Sequence, residues 1–151
     1  MSFDRYCQLI ADLCQSVGIP DADEVLTRGE LRVGALTVQI PFFDNDPEAI
    51  YLAYNFGAVS AGRTYRIFRM MLEANFVVYA MDQAQLGLDS TSEAVMLIVR
   101  CPMDPDINGE WLADTLAHYA DHGIYWRDNI MSSPDEILES LLDGKYSWIK
   151  V

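Results

Sequence analysis

The apolar runs between Glu30 and Val59 are separated by turn signals too short to hold a crossover, and this spacing constrains the chain more than any other feature of it. Leu31 to Phe43 is rich in β-branched and aromatic residues and breaks near Gly34 and at Pro41, which predicts a hairpin of strands Glu30–Val33 and Leu36–Pro41. Asp44-Asn45-Asp46-Pro47 is a turn, and beyond it Ile50, Leu52, Tyr54 and Phe56 alternate with Tyr51, Ala53 and Asn55 in a third strand, Ala49–Val59. Two more strands are expected at Gln85–Asp89 and Ala94–Arg100, joined by Ser90-Thr91-Ser92. Strands this close in sequence pair antiparallel, because a parallel neighbour needs a connection of about a dozen residues or more.

Helical spacing surrounds these strands. Phe3, Tyr6, Cys7, Ile10, Leu13, Cys14 and Val17 form a stripe that Ser2 can cap and Gly18-Ile19-Pro20 stops. Asp21 to Thr27 predicts a short helical turn. Arg63 to Asn75 resumes the helical period, and Phe76 to Met81 either extends that helix or leads out of it. After a loop marked by Pro102, Pro105 and Gly109, Leu112, Leu116, Tyr119, Gly123 and Trp126 line a long helix ending near Asn129, and Ser133 to Leu142 opens a last short one. The expected class is α+β: an antiparallel, strongly twisted sheet of about five strands flanked by helices, in the order α-β-β-β-α-β-β-α, with a short C-terminal helical tail. Residues 1–130 read as one domain and 131–151 as a helical extension.

The charge is −13 in 151 residues, with a mean hydropathy near zero. Capture of a nucleic acid depends on Lys and Arg releasing counterions from phosphates, so this balance argues against a nucleic-acid partner and against an anionic membrane surface. Residues 1–50 and 101–151 carry −6 and −7, whereas 51–100 are neutral. With no run of about 18 apolar residues, and Asp4 and Asp12 near the start, a cytoplasmic location is expected. Cys7 and Cys14 lie two turns apart on one helix, too far for a disulfide, and sit on its apolar stripe as inert thiols.

Two segments imitate catalytic or metal motifs. Gly57-Ala58-Val59-Ser60-Ala61-Gly62-Arg63-Thr64 follows the phosphate-loop pattern but has Arg63 for the Lys, and its surroundings are antiparallel rather than βαβ. His118 and His122 are one turn apart with Asp114 a turn earlier, but a zincin would need Glu where Tyr119 stands, and no third strong ligand is placed. No nucleophilic triad can be assembled. Arg63, Arg66 and Arg69 read as partners for acidic groups of the same or a second subunit. No catalytic residue, metal site or cofactor is therefore expected.

Met71-Leu72-Glu73-Ala74-Asn75-Phe76 resembles the helix-ending L-x-x-N-hydrophobic signature of the class I type III secretion chaperones, the Tir chaperone (CesT-like) family. Leu86-Gly87-Leu88-Asp89 with the strand Val95–Val99 is similar to that family's second hairpin. Leu112 to Trp126 is similar to its closing helix, and Val17-Gly18-Ile19-Pro20 to the exit of its opening helix. The resemblance covers about residues 3–130; the tail at 131–151 exceeds the usual family length, and Leu31 to Phe43 match weakly. It implies a small cytoplasmic homodimer that binds the extended N-proximal segment of a secreted effector and keeps it from aggregating without ATP.

A physical mechanism fits beside the resemblance. An extended client segment can add a strand to an exposed sheet edge while its apolar side chains enter grooves between helix and sheet. The expected groove residues are Phe3, Tyr6, Ile10 and Leu13 on the first helix and Leu36, Val38 and Ile40 on the second strand. Ile67, Met70, Met71 and Ala74, in the neutral third, are the expected dimer seam. The alternative reading is a small acidic regulator or anti-activator that binds a basic folded partner.

Overall fold

Alternation along the third strand decides how the layers stack. The computed structural model describes residues 2–60, 62–82 and 84–132, apart from the side chains of 78–82. Within it Ile50, Leu52, Tyr54 and Phe56 of β3 (Ala49–Ala58) are buried in the main core, while Ala53 joins a separate small cluster with Ala94 and Met96 on the other face. With β1 (Glu30–Val33), β2 (Leu36–Gln39), β4 (Ala84–Leu88) and β5 (Ala94–Pro102) this strand forms a sheet of order β1-β2-β3-β5-β4, antiparallel at every step. The α+β class and the pairing that the short connections require are thus the ones observed. Gly34, at φ +60°, takes the first central position of the β1–β2 turn, where a two-residue hairpin loop of the II′ kind needs glycine.

The helices are α1 (Ser2–Val17), α2 (Ala22–Arg28), α3 (Thr64–Asp82) and α4 (Gly109–Met131). Leu9, Ile10 and Leu13 of α1 and Leu112 and Leu116 of α4 share one core with Leu36, Val38, Leu52 and Leu97 of the sheet. Each such side chain contributes about 1.5–3 kcal/mol by leaving water. Leu9 lies outside the stripe read from the sequence, yet is fully buried, because α1 is covered on two sides by α4 and the sheet. The Tyr54 hydroxyl crosses that core to donate to the Leu116 carbonyl at 2.9 Å, and burial holds its phenol well above the ordinary pKa.

Several boundaries differ from expectation for identifiable reasons. Ser2 is the first residue of α1, and its hydroxyl donates to Glu48 Oε1 at 2.7 Å. β2 stops at Gln39, because Pro41 has no N–H to extend a ladder, although the Ile40 N–H still reaches the Gly29 carbonyl at 2.8 Å. β4 begins and ends one residue earlier, and β5 runs on to Pro102 opposite Ala49. Helix α3 continues through Phe76 to Asp82, the first of the two alternatives. Asn108, whose side chain accepts the Trp111 N–H at 2.9 Å, starts α4 three residues before Leu112, and Ile130 extends its buried stripe. The helix expected at 133–142 and most of the 131–151 extension lie outside the described residues.

Two contacts lock the frame. A Cβ built on Gly109 would stand 2.2 Å from the Asp12 carbonyl carbon and 2.5 Å from the Leu13 nitrogen, so α4 begins with its backbone pressed directly on that of α1. At the far end of the sheet, the Asn75 carboxamide of α3 accepts the Leu86 N–H at 2.6 Å and donates to the Leu86 carbonyl at 3.1 Å. One side chain thereby satisfies both backbone groups of Leu86 on the outer edge of β4.

Gly109→Ala, which by helix propensity alone would stabilise α4 by about 1 kcal/mol, is expected to cost roughly 2–4 kcal/mol because backbone must move. Gly123→Ala, which presses only on side chains, the Leu36 Cδ1 methyl at 3.2 Å and Phe56 and Leu97 at 3.6 and 3.8 Å, serves as the mild control in urea unfolding. Asn75→Ala should lose about 1–3 kcal/mol and raise hydrogen exchange at the Leu86 amide above that of its neighbours in β5.

Candidate functional site

An antiparallel ladder turns the N–H and C=O of alternate residues toward its partner and those of the residues between away from it. The β1–β2 hairpin closes on Val33 and Leu36, and the Ile40–Gly29 bond of 2.8 Å lies four residues along in the same phase. The backbone groups of Glu30 and Arg32 therefore point away from β2, on the outer edge of the sheet. Among the described residues no strand pairs with that edge. Leu31 and Val33 face the core side, partly buried, and Arg32 is exposed.

A cavity of about 210 Å³ opens beside this strand, lined by Ile19, Pro20, Asp21, Glu24, Val25, Arg28, Glu30 and Leu31. Local rules place its walls. Asp21 caps α2 by accepting the Glu24 N–H at 3.0 Å, and Gly29, at φ +67°, ends it with its N–H on the Val25 carbonyl. The turn at Gly29 then delivers the chain straight into β1, so α2 and the edge strand meet at the cavity.

Of the expected groove residues, Tyr6, Ile10, Leu13, Leu36, Val38 and Ile40 are brought together between α1 and β2 but lie within the core, where they offer no surface as it stands. The Tyr6 hydroxyl donates to the Ile40 carbonyl at 2.5 Å, and burial pushes its phenol up to about 12. Phe3 is 57% exposed. Its ring stacks on Tyr6 and meets the edge of Phe42, 5.3 Å between centroids, and exposed Phe43 packs on Tyr51 beyond. That loop is held by Asp46, which pairs with Arg100 at 2.7 Å and accepts from the Tyr51 hydroxyl. The hydrogen bond from Arg100, then that from Tyr51, lower the Asp46 carboxyl to about 2.

On α3 the expected seam divides. Ile67, Met71 and Ala74 are buried against the chain's own core and Met70 is partly buried. The outward face carries Tyr65, Phe68, Leu72, Phe76 and Val77, with Leu72 73% and Phe76 87% exposed. The sequence reading missed this second face because α3 is apolar nearly all round, and the inward period was the one matched; a helix apolar on every side is itself the signal that both faces are covered. Arg69 pairs with Glu73 on the same helix at 2.9 Å, and Arg63 donates to the Met131 carbonyl at 3.3 Å.

The look-alikes acquire ordinary roles. The Gly57 N–H is taken by Asn55 Oδ1 at a β-bulge and the Val59 N–H by the Glu93 carbonyl, so amides that a phosphate loop would aim at an anion are occupied. Ala61 of that segment lies outside the described residues. His118 and His122 are exposed, their ring centroids 4.4 Å apart, and no group of three metal-ligating side chains occurs among the described residues. Burial raises the Cys101 thiol to about 11 and also raises Cys14, which disfavours the nucleophilic thiolate. Helices long and apolar enough to cross a membrane are absent among the described residues.

Comparisons with known proteins agree with this geometry. The chain matches solved structures across most of its length: a chain of the ExsC-ExsE complex at TM-score 0.63 and 19% identity, covering 84% of this chain and 94% of that one, and a chain of the HopA1-SchA chaperone-effector complex at TM-score 0.58 and 15% identity, covering 82% and 94%. At such identities the likeness is one of fold. No curated protein matches. The sequence profile of the Tir chaperone protein (CesT) family, however, matches residues 8–127, most of the chain, and this protein belongs to that family.

Proposed function

We propose that this protein is a dedicated type III secretion chaperone that holds an extended, N-proximal segment of a secreted effector in the cytoplasm, without ATP and without catalysis. The observation that carries the reading is the asymmetry of the sheet's two edges. Asn75 occupies the outer edge of β4, whereas β1 leaves Glu30 and Arg32 facing outward beside an apolar cavity. An added strand gains backbone hydrogen bonds there and seats alternate side chains on the core side. Phe3 adds a further exposed ring, packed edge-on against Phe42. Of the residues first expected to line the groove, Phe3 supplies surface and the other six shape the support beneath it. Membership of the chaperone family supports the same conclusion, as does the chaperone-effector complex among its structural neighbours.

The second half of the proposal is a homodimer joined through α3. Tyr65, Phe68, Leu72 and Phe76 make an outward apolar face in the neutral third of an otherwise acidic chain, where two copies can meet without repulsion. Three of the four residues first expected at the seam, Ile67, Met71 and Ala74, anchor the helix to its own core, with Met70 partly buried beside them, and this fixes the direction of the outward face.

Light scattering of the wild-type protein should give twice 17.1 kDa at micromolar concentration. Leu72→Asp with Phe76→Asp should return it to a single copy with unchanged circular dichroism, and a wild-type mass of one chain would refute the dimer. Co-expression with the protein encoded beside it should yield a complex in which an N-proximal effector segment resists proteolysis. In that complex the amides of Glu30 and Arg32 should exchange at least about tenfold more slowly than in the free chaperone, as newly hydrogen-bonded amides do. A complex that leaves those amides unchanged would place the client elsewhere.

A further inference from the structure

The cavity beside β1 is apolar inside and acidic at its mouth. Val25 is buried and Ile19 and Leu31 are half-buried, whereas Asp21, Glu24 and Arg28 are exposed and Glu30 is partly so. The Arg28 guanidinium is 3.1 Å from the Glu24 carboxylate, so that pair cancels and Asp21 and Glu30 set the sign of the rim. One Asp21 oxygen caps α2. Arg32 is not among the lining residues; it stands two positions along the strand from Glu30.

Strand addition fixes what meets these groups. A client strand hydrogen-bonded to Glu30 and Arg32 faces Leu31 at a non-hydrogen-bonded position, where opposed Cα atoms are about 4.5 Å apart and side chains come closest. The client residue opposite Leu31 points to the core side, over the cavity. Its two neighbours point to the other face, one opposite Glu30 and one opposite Arg32. Opposite charges placed across a ladder attract and like charges repel. Glu30 therefore favours a cation on one side of the anchor, and Arg32 disfavours a second cation on the other side.

We infer that this cavity and edge select client segments in which an apolar side chain is flanked on one side by Lys or Arg. The inference rests on the strand-addition reading and adds to it a rule of specificity. The occupant is an extended effector segment of that charge pattern; its basic group complements Glu30 and a chaperone of net charge −13.

Short synthetic peptides that alternate Thr and Val around one central Leu provide the probe, with Lys, Glu or Ser on either side of the Leu. Fluorescence anisotropy at low salt should show the better of the two Lys orders binding about 5–10-fold tighter than the matching Glu peptide, as a close charge pair at a partly exposed edge allows. Glu30→Gln should reduce that ratio to about twofold or less. Equal binding of Lys and Glu peptides, with Glu30 and Arg32 amides protected by both, would overturn the selectivity and leave strand addition standing. Absence of binding by every peptide, with those amides unprotected, would overturn both. Association of two chaperone copies that Glu30→Gln weakens would assign the edge to a second copy and overturn the proposal.

Discussion

An open sheet has two edges, and each must be paired, covered or exposed to water with its row of unpaired N–H and C=O groups. This chain resolves the two edges differently, and most of the architecture follows from that difference. Asn75 closes the β4 edge with two hydrogen bonds to a single residue, which fixes α3 alongside the sheet and turns Leu72 and Phe76 outward. At the other end α2 stops at Gly29 one residue before β1 and walls a cavity there, and among the described residues no strand pairs with that edge. The same sheet thus has one end committed to the chain itself and one end available to a partner.

Much of this was legible in the sequence because it depends on local signals. The antiparallel order followed from turns too short for a crossover, and the burial of Ile50, Leu52, Tyr54 and Phe56 followed from a period of two. Cys14 is buried as its place on the α1 stripe predicts, whereas Cys7 on the same stripe is only partly buried. What escaped were effects of tertiary packing. Leu9 breaks the single stripe of α1 because α4 covers a second side, and nothing local to residues 2–17 encodes that neighbour. The outward face of α3 was masked by its inward one, since both are apolar. The expected groove residues Ile10, Leu13, Leu36, Val38 and Ile40 share one buried cluster, because a pattern of apolar residues reports burial without distinguishing a groove from a core.

The L-x-x-N signature acquires a mechanism from the structure. Asn is poor within a helix because its side chain competes for backbone groups, and here that competition is directed at another element, the edge strand. A Leu in its place would favour helix and burial yet leave two backbone groups of Leu86 unsatisfied at a partly buried edge. An ionised Asp could accept the N–H but not donate to the carbonyl, whereas the carboxamide does both from adjacent atoms. Asn75 is therefore specified by hydrogen-bond chemistry at Leu86 rather than by helix propensity.

Charge distribution completes the logic of a protein that must show apolar surface without aggregating. Leu72 and Phe76 lie on a helix that carries as many basic as acidic side chains, with Arg69 and Glu73 paired at 2.9 Å, so this face has no electrostatic barrier against its own copy. The cavity at β1 is instead edged by Asp21 and Glu30 in a segment of the chain that is strongly acidic. Two such edges repel each other at the rim, whereas a neutral helix face does not. The apolar surface on α3 is suited to self-association and the one at β1 to a partner of opposite charge, so in the proposed reading assembly and client capture fall on separate surfaces of a single small domain.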